Sequence, residues 1–242
     1  MERPIRLIAQ QTGEFTAESR SANWRRVLDD LAASNPSPGP RRLPRRILES
    51  AIAAVGLAIT FPIMLLVALA IRLDSPGPVL FRQKRVGRGG RLFDFVKFRT
   101  LRHDARQQFP ELYAYQYTPE QIEPLFFKLP NDPRVTRAGE WLRRTTLDEL
   151  PNFWNVLTGD MALVGPRPEI PEMLPYYRNE HLIKFSVQPG ITGVAQISGR
   201  GRLRFLETAQ LDAEYAANPS LQLDLRILGR TLSLILRQDG AF

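Results

Sequence analysis

The chain contains no cysteine, which excludes a disulfide framework and any thiolate-held metal. Histidine is almost as scarce: His103 and His181 are the only two, too few and too scattered for a histidine-rich metal site. Any metal is therefore held by carboxylates and phosphate, which selects magnesium or manganese over zinc. Acids are outnumbered, 25 Asp and Glu against 33 Lys and Arg, for a net charge of +8. That excess implies an anionic partner: nucleic acid, acidic lipid headgroups or phosphorylated substrates. A Walker-type phosphate loop is missing, and so is any internal repeat. Residues 1–40 lack the layout of a cleaved signal peptide, because no apolar core follows their charges.

What is present divides the 242 residues into an appendage and one sizeable domain, 41–242. In the appendage, Ser21 is placed to cap a short helix with Trp24, Val27, Leu28 and Leu31 on one face. Asn35-Pro36-Ser37-Pro38-Gly39-Pro40 reads as a linker. Arg41, Arg42, Arg45 and Arg46 then precede Ser50 to Ile71, about 22 residues without a charge. At roughly 1.5 Å per residue these make about 33 Å of helix, enough to cross a bilayer. Arg72, Arg82, Lys84, Arg85, Arg88 and Arg91 follow, so both flanks are basic and neither is favoured as the cytoplasmic one. Pro62 lies near the middle, where it removes a backbone bond and bends the helix. A helix over about 47–73 that enters, bends at Pro62 and returns keeps both basic flanks on one side. A buried core helix is the competing reading, but the run is long for one.

After the turn Asp74-Ser75-Pro76-Gly77-Pro78, two short strands, 79–83 and 92–96, flank Gly87-Arg88-Gly89-Gly90 as a β-hairpin. Lys97 and Arg99 alternate with apolar residues and are expected on one strand face; a solvated basic edge has the same pattern. The aromatic stretch from Phe109 to Leu129, broken by Pro110, Pro119 and Pro124, reads as an interfacial helix or a lid. Ile170 to Phe185 reads as a surface helix dipping aromatics into a membrane interface. Gln196 to Arg202 places cations on a glycine-rich backbone suited to phosphate. The fold class is α+β and mostly helical, with a re-entrant membrane helix, interfacial amphipathic helices and a small hairpin.

The chemistry concentrates in Thr145 to Glu169. Asp148 and Glu149 stand at an expected helix start with Thr146 as N-cap. Leu150, Phe153, Trp154 and Leu157 make one apolar stripe, and Gly159 ends the helix. A short buried strand, 161–164, leads to Gly165-Pro166-Arg167-Pro168, a stiff turn that holds up one arginine. Thr146-x-x-Glu149 also matches a plain capping box, in which the acids would do no chemistry. Pro151 argues against it, because it spoils the first helical turn beside two acids.

With these residues in place, the chain from about 41 to 242 resembles the bacterial sugar transferases, monotopic phosphoglycosyl transferases that begin lipid-linked glycan assembly. The matching stretches run in order: SPGPVLFRQKRVGRGG, FVKFRT, NDPRVTRAGEWLRRTTLDELPNFWNVLTGDMALVGPRPE and QPGITGVAQISGR. The resemblance implies transfer of a sugar 1-phosphate from a nucleotide diphosphate sugar, a UDP-hexose, to polyprenyl phosphate, with release of the nucleoside monophosphate. It also implies a location at the cytoplasmic face of the bacterial inner membrane. It makes Asp148 the nucleophile and Glu149 a magnesium ligand. Arg167 and Arg200 match phosphate-facing arginines, and Lys97 and Arg143 match other basic positions. Phe61-Pro62 stands where the family often has Ser-Pro; Val194 and Ser198 stand where it often has Trp and Asn.

Two other readings compete. One is a membrane-bound glycosyltransferase that moves the sugar alone and leaves a nucleoside diphosphate. The other is a non-enzymatic basic membrane scaffold or nucleic-acid binder. The cations are interleaved with glycine, proline and two acids rather than forming a continuous basic helix. That pattern favours phosphate substrates over nucleic acid.

Overall fold

A computed structural model describes residues 17–34, 43–126, 129, 131–199 and 202–237. Among these, nine helices and four strands follow one another as α1 (Ala17–Ser34), α2 (Leu43–Asp74), β1 (Leu80–Val86), β2 (Leu92–Phe98), α3 (Ala105–Gln108), α4 (Pro119–Ile122), α5 (Arg137–Thr145), α6 (Asn152–Thr158), β3 (Ala162–Val164), β4 (Gly190–Thr192), α7 (Val194–Gly199), α8 (Phe205–Ala217) and α9 (Leu221–Arg237). The α+β, mostly helical class is as expected. β1 and β2 form the antiparallel hairpin, in a register that sets Phe81 opposite Lys97 and Arg85 opposite Phe93. β3 and β4 add a short parallel pair. Arg41, Arg42, Arg200 and the 35–40 linker lie outside the described residues.

The long apolar helix is α2, with Pro62 inside it. It is long and apolar enough to cross a membrane, and only 11% of its most apolar window is buried. Ile59, Leu66 and Leu69 point outward, so α2 is no core helix. One side of it follows the globular domain from end to end. Arg46 donates to the carbonyls of Val156 and Leu157 at the end of α6. The ring of Phe153 lies against Gly56. Val67 and Ile71 cluster with Phe98 and Leu142, and Met64, Leu147 and Leu150 pack around them. Asp74 accepts from the amide of Ala138. Arg45 pairs with Glu49 and with Asp224 of α9. Two arginines of the basic flank thus serve as structural ties.

The amphipathic helix that exposes an apolar stripe is α9, with Leu221, Leu225, Leu228, Leu232 and Ile235 outward. Ile170 to Phe185, expected to be interfacial, is instead 3-10 structure. Met173, Leu174, Tyr177 and Phe185 are buried in the main core, and Lys184 is buried with them. Proline at 171 and 175 prevents the long α-helix that an interface would need. From Phe109 to Phe126 the chain is not one helix, and Phe127 and Lys128 lie outside the described residues. This stretch is a run of short turns whose Ile122 belongs to the core, with Tyr115, Tyr117 and Leu125 packed against it. α1 begins at Ala17, so Ser21 lies inside it rather than at its cap. Its Val27 and Leu31 enter the same core, so α1 packs on the domain.

α5 approaches the strand end closely. Thr136 caps it by accepting from the Gly139 amide at 3.0 Å, and a Cβ on Gly139 would collide with the Thr100 carbonyl. Gly139→Ala should destabilise the chain by about 2 kcal/mol or more, the cost of overpacking against rigid backbone. A thermal melt reads this, and an unchanged melting temperature would show that α5 sits farther from Thr100.

Candidate active site

Asp148 and Glu149 lie in a 3-10 turn, Leu147–Glu149, ahead of α6 rather than in its first turn. Thr146 has φ 59, a left-handed conformation that is an outlier for a β-branched residue and costs about 1–3 kcal/mol. It makes no side-chain cap; its hydroxyl donates to the Thr145 carbonyl instead. The expected N-cap and the capping box are therefore both absent, because the chain kinks through Thr146 and Pro151 delays the helix. Backbone strain is stored directly before the two acids. Downstream, Gly159 ends α6 at φ 92 as expected. Phe153 and Leu157 pack inward, whereas Trp154 of the expected stripe is 54% exposed.

The turn faces three cations from three separate elements. Asp148 is buried, and burial, reinforced by the charge of Glu149, pushes its carboxyl up to about 6. Lys97 of β2, Arg167 and Arg143 of α5 oppose that rise by their charge. Burial in turn lowers Lys97 to about 8, partly offset by Asp148. Arg167 donates to Glu149 at 3.0 Å, and that carboxylate holds its guanidinium above its ordinary range. Arg143 is lowered by burial and donates to the Thr100 hydroxyl at 3.2 Å. Three cations against two carboxylates leave positive charge for an incoming anion.

The structure thus brings together Asp148, Glu149, Lys97, Arg143 and Arg167. Arg99 is not with them. β2 ends at Phe98, and the Arg99 guanidinium donates to the carbonyls of Ser75 and Pro76. It fastens the turn after α2, so the expectation that it shares a face with Lys97 is corrected. The strand stops one residue earlier than its alternation implied. Arg85 was read only as part of a basic flank. It lies on the Lys97 face of the hairpin, donates to the Pro168 carbonyl at 3.1 Å and stands 3.7 Å from Glu169. Carrying the two-residue period across the hairpin loop would have found it.

The residues from 40 to 238 match the bacterial sugar transferase family. The chain belongs to that family. It is 41% identical over 198 residues to the "Galactosyl transferase CpsE" of Streptococcus agalactiae, which covers 81% of this chain and 43% of that protein. It is 36% identical over 201 residues to the "Undecaprenyl-phosphate galactose phosphotransferase" of Salmonella typhimurium, covering 83% of this chain and 42% of that protein. It is 39% identical over 208 residues to the "UDP-glucose:undecaprenyl-phosphate glucose-1-phosphate transferase" of Caulobacter vibrioides, covering 83% and 72%. This family member therefore spans less than half the length of the first two relatives.

Whether magnesium fits can be judged from the donors. No group of three His, Cys, Asp or Glu occurs among the described residues, so these residues do not form a closed cage. Two adjacent carboxylates suit a hard cation that takes its other ligands from phosphate and water. Asp148 titrates above the ordinary value of 3.8, at about 6. Between those values the folded state binds the extra proton, so its stability falls as pH rises through that window. In metal-free buffer at pH 7, Asp148→Asn should melt a few degrees higher than wild type, and the gap should close toward pH 4. A variant less stable than wild type at pH 7 would contradict the burial of this charge.

Proposed function

We propose that this sugar transferase moves a sugar 1-phosphate from a nucleotide diphosphate sugar to polyprenyl phosphate through a covalent intermediate on Asp148. The observation that carries this reading is a buried carboxylate faced by Lys97, Arg143 and Arg167, on a turn resting directly on α2. The names of the relatives support the substrate class: UDP-glucose and undecaprenyl phosphate for the Caulobacter vibrioides protein.

A carboxylate oxygen of Asp148 attacks the phosphorus that bears the sugar. The bond from that phosphorus to the bridging oxygen breaks, and the nucleoside monophosphate leaves with the electron pair. The sugar phosphate is now an acyl phosphate on Asp148. An oxygen of polyprenyl phosphate attacks the same phosphorus, the acyl-phosphate bond breaks, and the carboxylate is restored. Arg167 and Lys97 balance the diphosphate charge, with Arg167 supplying a planar fork. Glu149 would hold magnesium, or manganese, with the diphosphate, and that ion would neutralise the leaving phosphate. Arg200 is kept as a further phosphate contact from the family pattern.

The membrane reading follows from α2. The stretch from Leu147 to Leu157 touches both halves of that helix. A straight span would carry this polar, acid-bearing stretch across the bilayer, at a prohibitive cost. We place both ends of α2 on one side, the cytoplasmic face of the inner membrane, with a bend at Pro62 inside the otherwise continuous helix. The α9 leucines lie in the interface plane.

Incubating the enzyme with a panel of UDP-hexoses and magnesium, without lipid, should give a phosphosugar mass adduct and one nucleoside monophosphate per site. Asp148→Asn should give no adduct, and Glu149→Gln should form it more slowly. An adduct on Asp148→Asn equal to wild type, or release of nucleoside diphosphate, would overturn the mechanism. Leu43 and Leu73 are both exposed. Cysteines placed there should react with an impermeant maleimide only after the inner membrane is opened, and labelling of either from the periplasm would show a span.

A further inference from the structure

Lys97 reaches the site on β2, and the acids reach it on the turn before α6. One buried side chain joins the two routes. β2 pairs with β1 along one edge only, and among the described residues no strand lies on its other edge. Residues two apart on a strand present their backbone groups to the same edge. At Asp94 and Val96 that edge is filled by Asn155 of α6. The Asn155 carboxamide donates to the Asp94 carbonyl at 2.7 Å, and its oxygen accepts from the Val96 amide at 3.1 Å. It stands in for one peptide unit of a third strand. Asn155 is 2% exposed, and no other side-chain type of its length supplies both a donor and an acceptor without a charge.

The link is short on both sides. Val96 directly precedes Lys97. Phe93 and Phe95 share the Lys97 face by two-residue alternation, and both are buried with Val156 of α6. β2 runs against the acid turn, and Phe98 lies in the cluster on which Leu147 and Leu150 pack. In the other direction, α6 follows the acid turn through Leu150 and Pro151. The Leu150 amide donates to the Leu147 carbonyl, and the Phe153 amide to the Leu150 carbonyl, so this path has little slack. The Asn155 carbonyl accepts from the Met161 amide at 2.9 Å, where the chain enters β3 on its way to the Arg167 turn. A slip of β2 by one residue would turn Lys97 to the opposite face.

We infer that Asn155 is a positioning residue: its carboxamide fixes the register of β2 against α6 and so holds Lys97 at the acid pair. Asn155 itself touches no substrate. The inference rests on the reading of Lys97 as a balance for the diphosphate charge.

The test uses the full chain. Asn155→Asp keeps the shape and the acceptor but, when ionised, has no hydrogen to give Asp94. Nucleotide release from a UDP-hexose should fall about tenfold or more at about pH 7.5. The ratio of variant to wild type should recover toward about pH 6, because the protonated carboxyl donates again. In a Lys97→Met background the same replacement should lower release by less than about twofold further, since both act through one side chain. Val156→Ala, which loosens α6 in the same cluster, should lower the melting temperature and leave release near the wild-type rate. Should Asn155→Asp not fold, Asn155→Ser takes its place in the rate measurements. In the wild-type chain the Val96 amide should exchange its hydrogen as slowly as the amides between β1 and β2. Wild-type release in a folded Asn155 variant, a ratio that does not recover, fully additive losses, an equal loss in Val156→Ala or a fast-exchanging Val96 amide would each overturn the proposal. A wild-type enzyme that releases no nucleoside monophosphate would instead sink the reaction assigned above, while exchange at Val96 would still decide the contact.

Discussion

Leu147 and Leu150 bracket Asp148 and Glu149, and both pack against the C-terminal half of α2 beside Val67 and Ile71. Phe153 lies on the N-terminal half, over Gly56. The acid turn is thus seated on an apolar helix whose other side is exposed. Much of the remaining architecture serves this arrangement. Arg46 ties the end of α6 to α2, Arg45 ties α9 to it, and Asp74 meets the start of α5.

The second constraint is charge. A buried aspartate disfavours its ionised form, and an adjacent glutamate makes this worse. Lys97, Arg143 and Arg167 offset these effects in part, and they come from a strand, a helix and a proline-locked turn. None of these elements could supply all three cations. The Arg167–Glu149 pair sets one of these cations directly on the acid turn. The strain at Thr146 and the prolines at 151, 166 and 168 keep the site from relaxing into a regular helix, in which Glu149 would fold back as a cap.

Much of this was legible from the residues. Uncharged length identified α2, glycine and two-residue alternation identified the hairpin, and glycine at 159 marked the end of α6. The acid pair and the arginine between two prolines stood out because they break local rules of helix and turn construction. Misreadings occurred where local pattern and tertiary packing disagree. Ile170 to Phe185 has a composition suited to an interface, yet its aromatics fill the core and Lys184 finds a buried partner in Asp212. Arg99 looked equivalent to Lys97 by alternation, and the strand ended first.

By itself, the sequence determined the chemistry available: carboxylates and no thiols, an excess of cations, and an apolar run flanked by base at both ends. These follow from composition and from local steric and hydrogen-bonding rules, which act over a few residues. Only the tertiary structure decided which cations face Asp148, that Arg99 does not, and that one domain follows α2 along its length. Lys97, Arg143 and Arg167 are dozens of residues apart or lie on different elements. Their meeting depends on long-range packing, which no periodicity in the chain encodes.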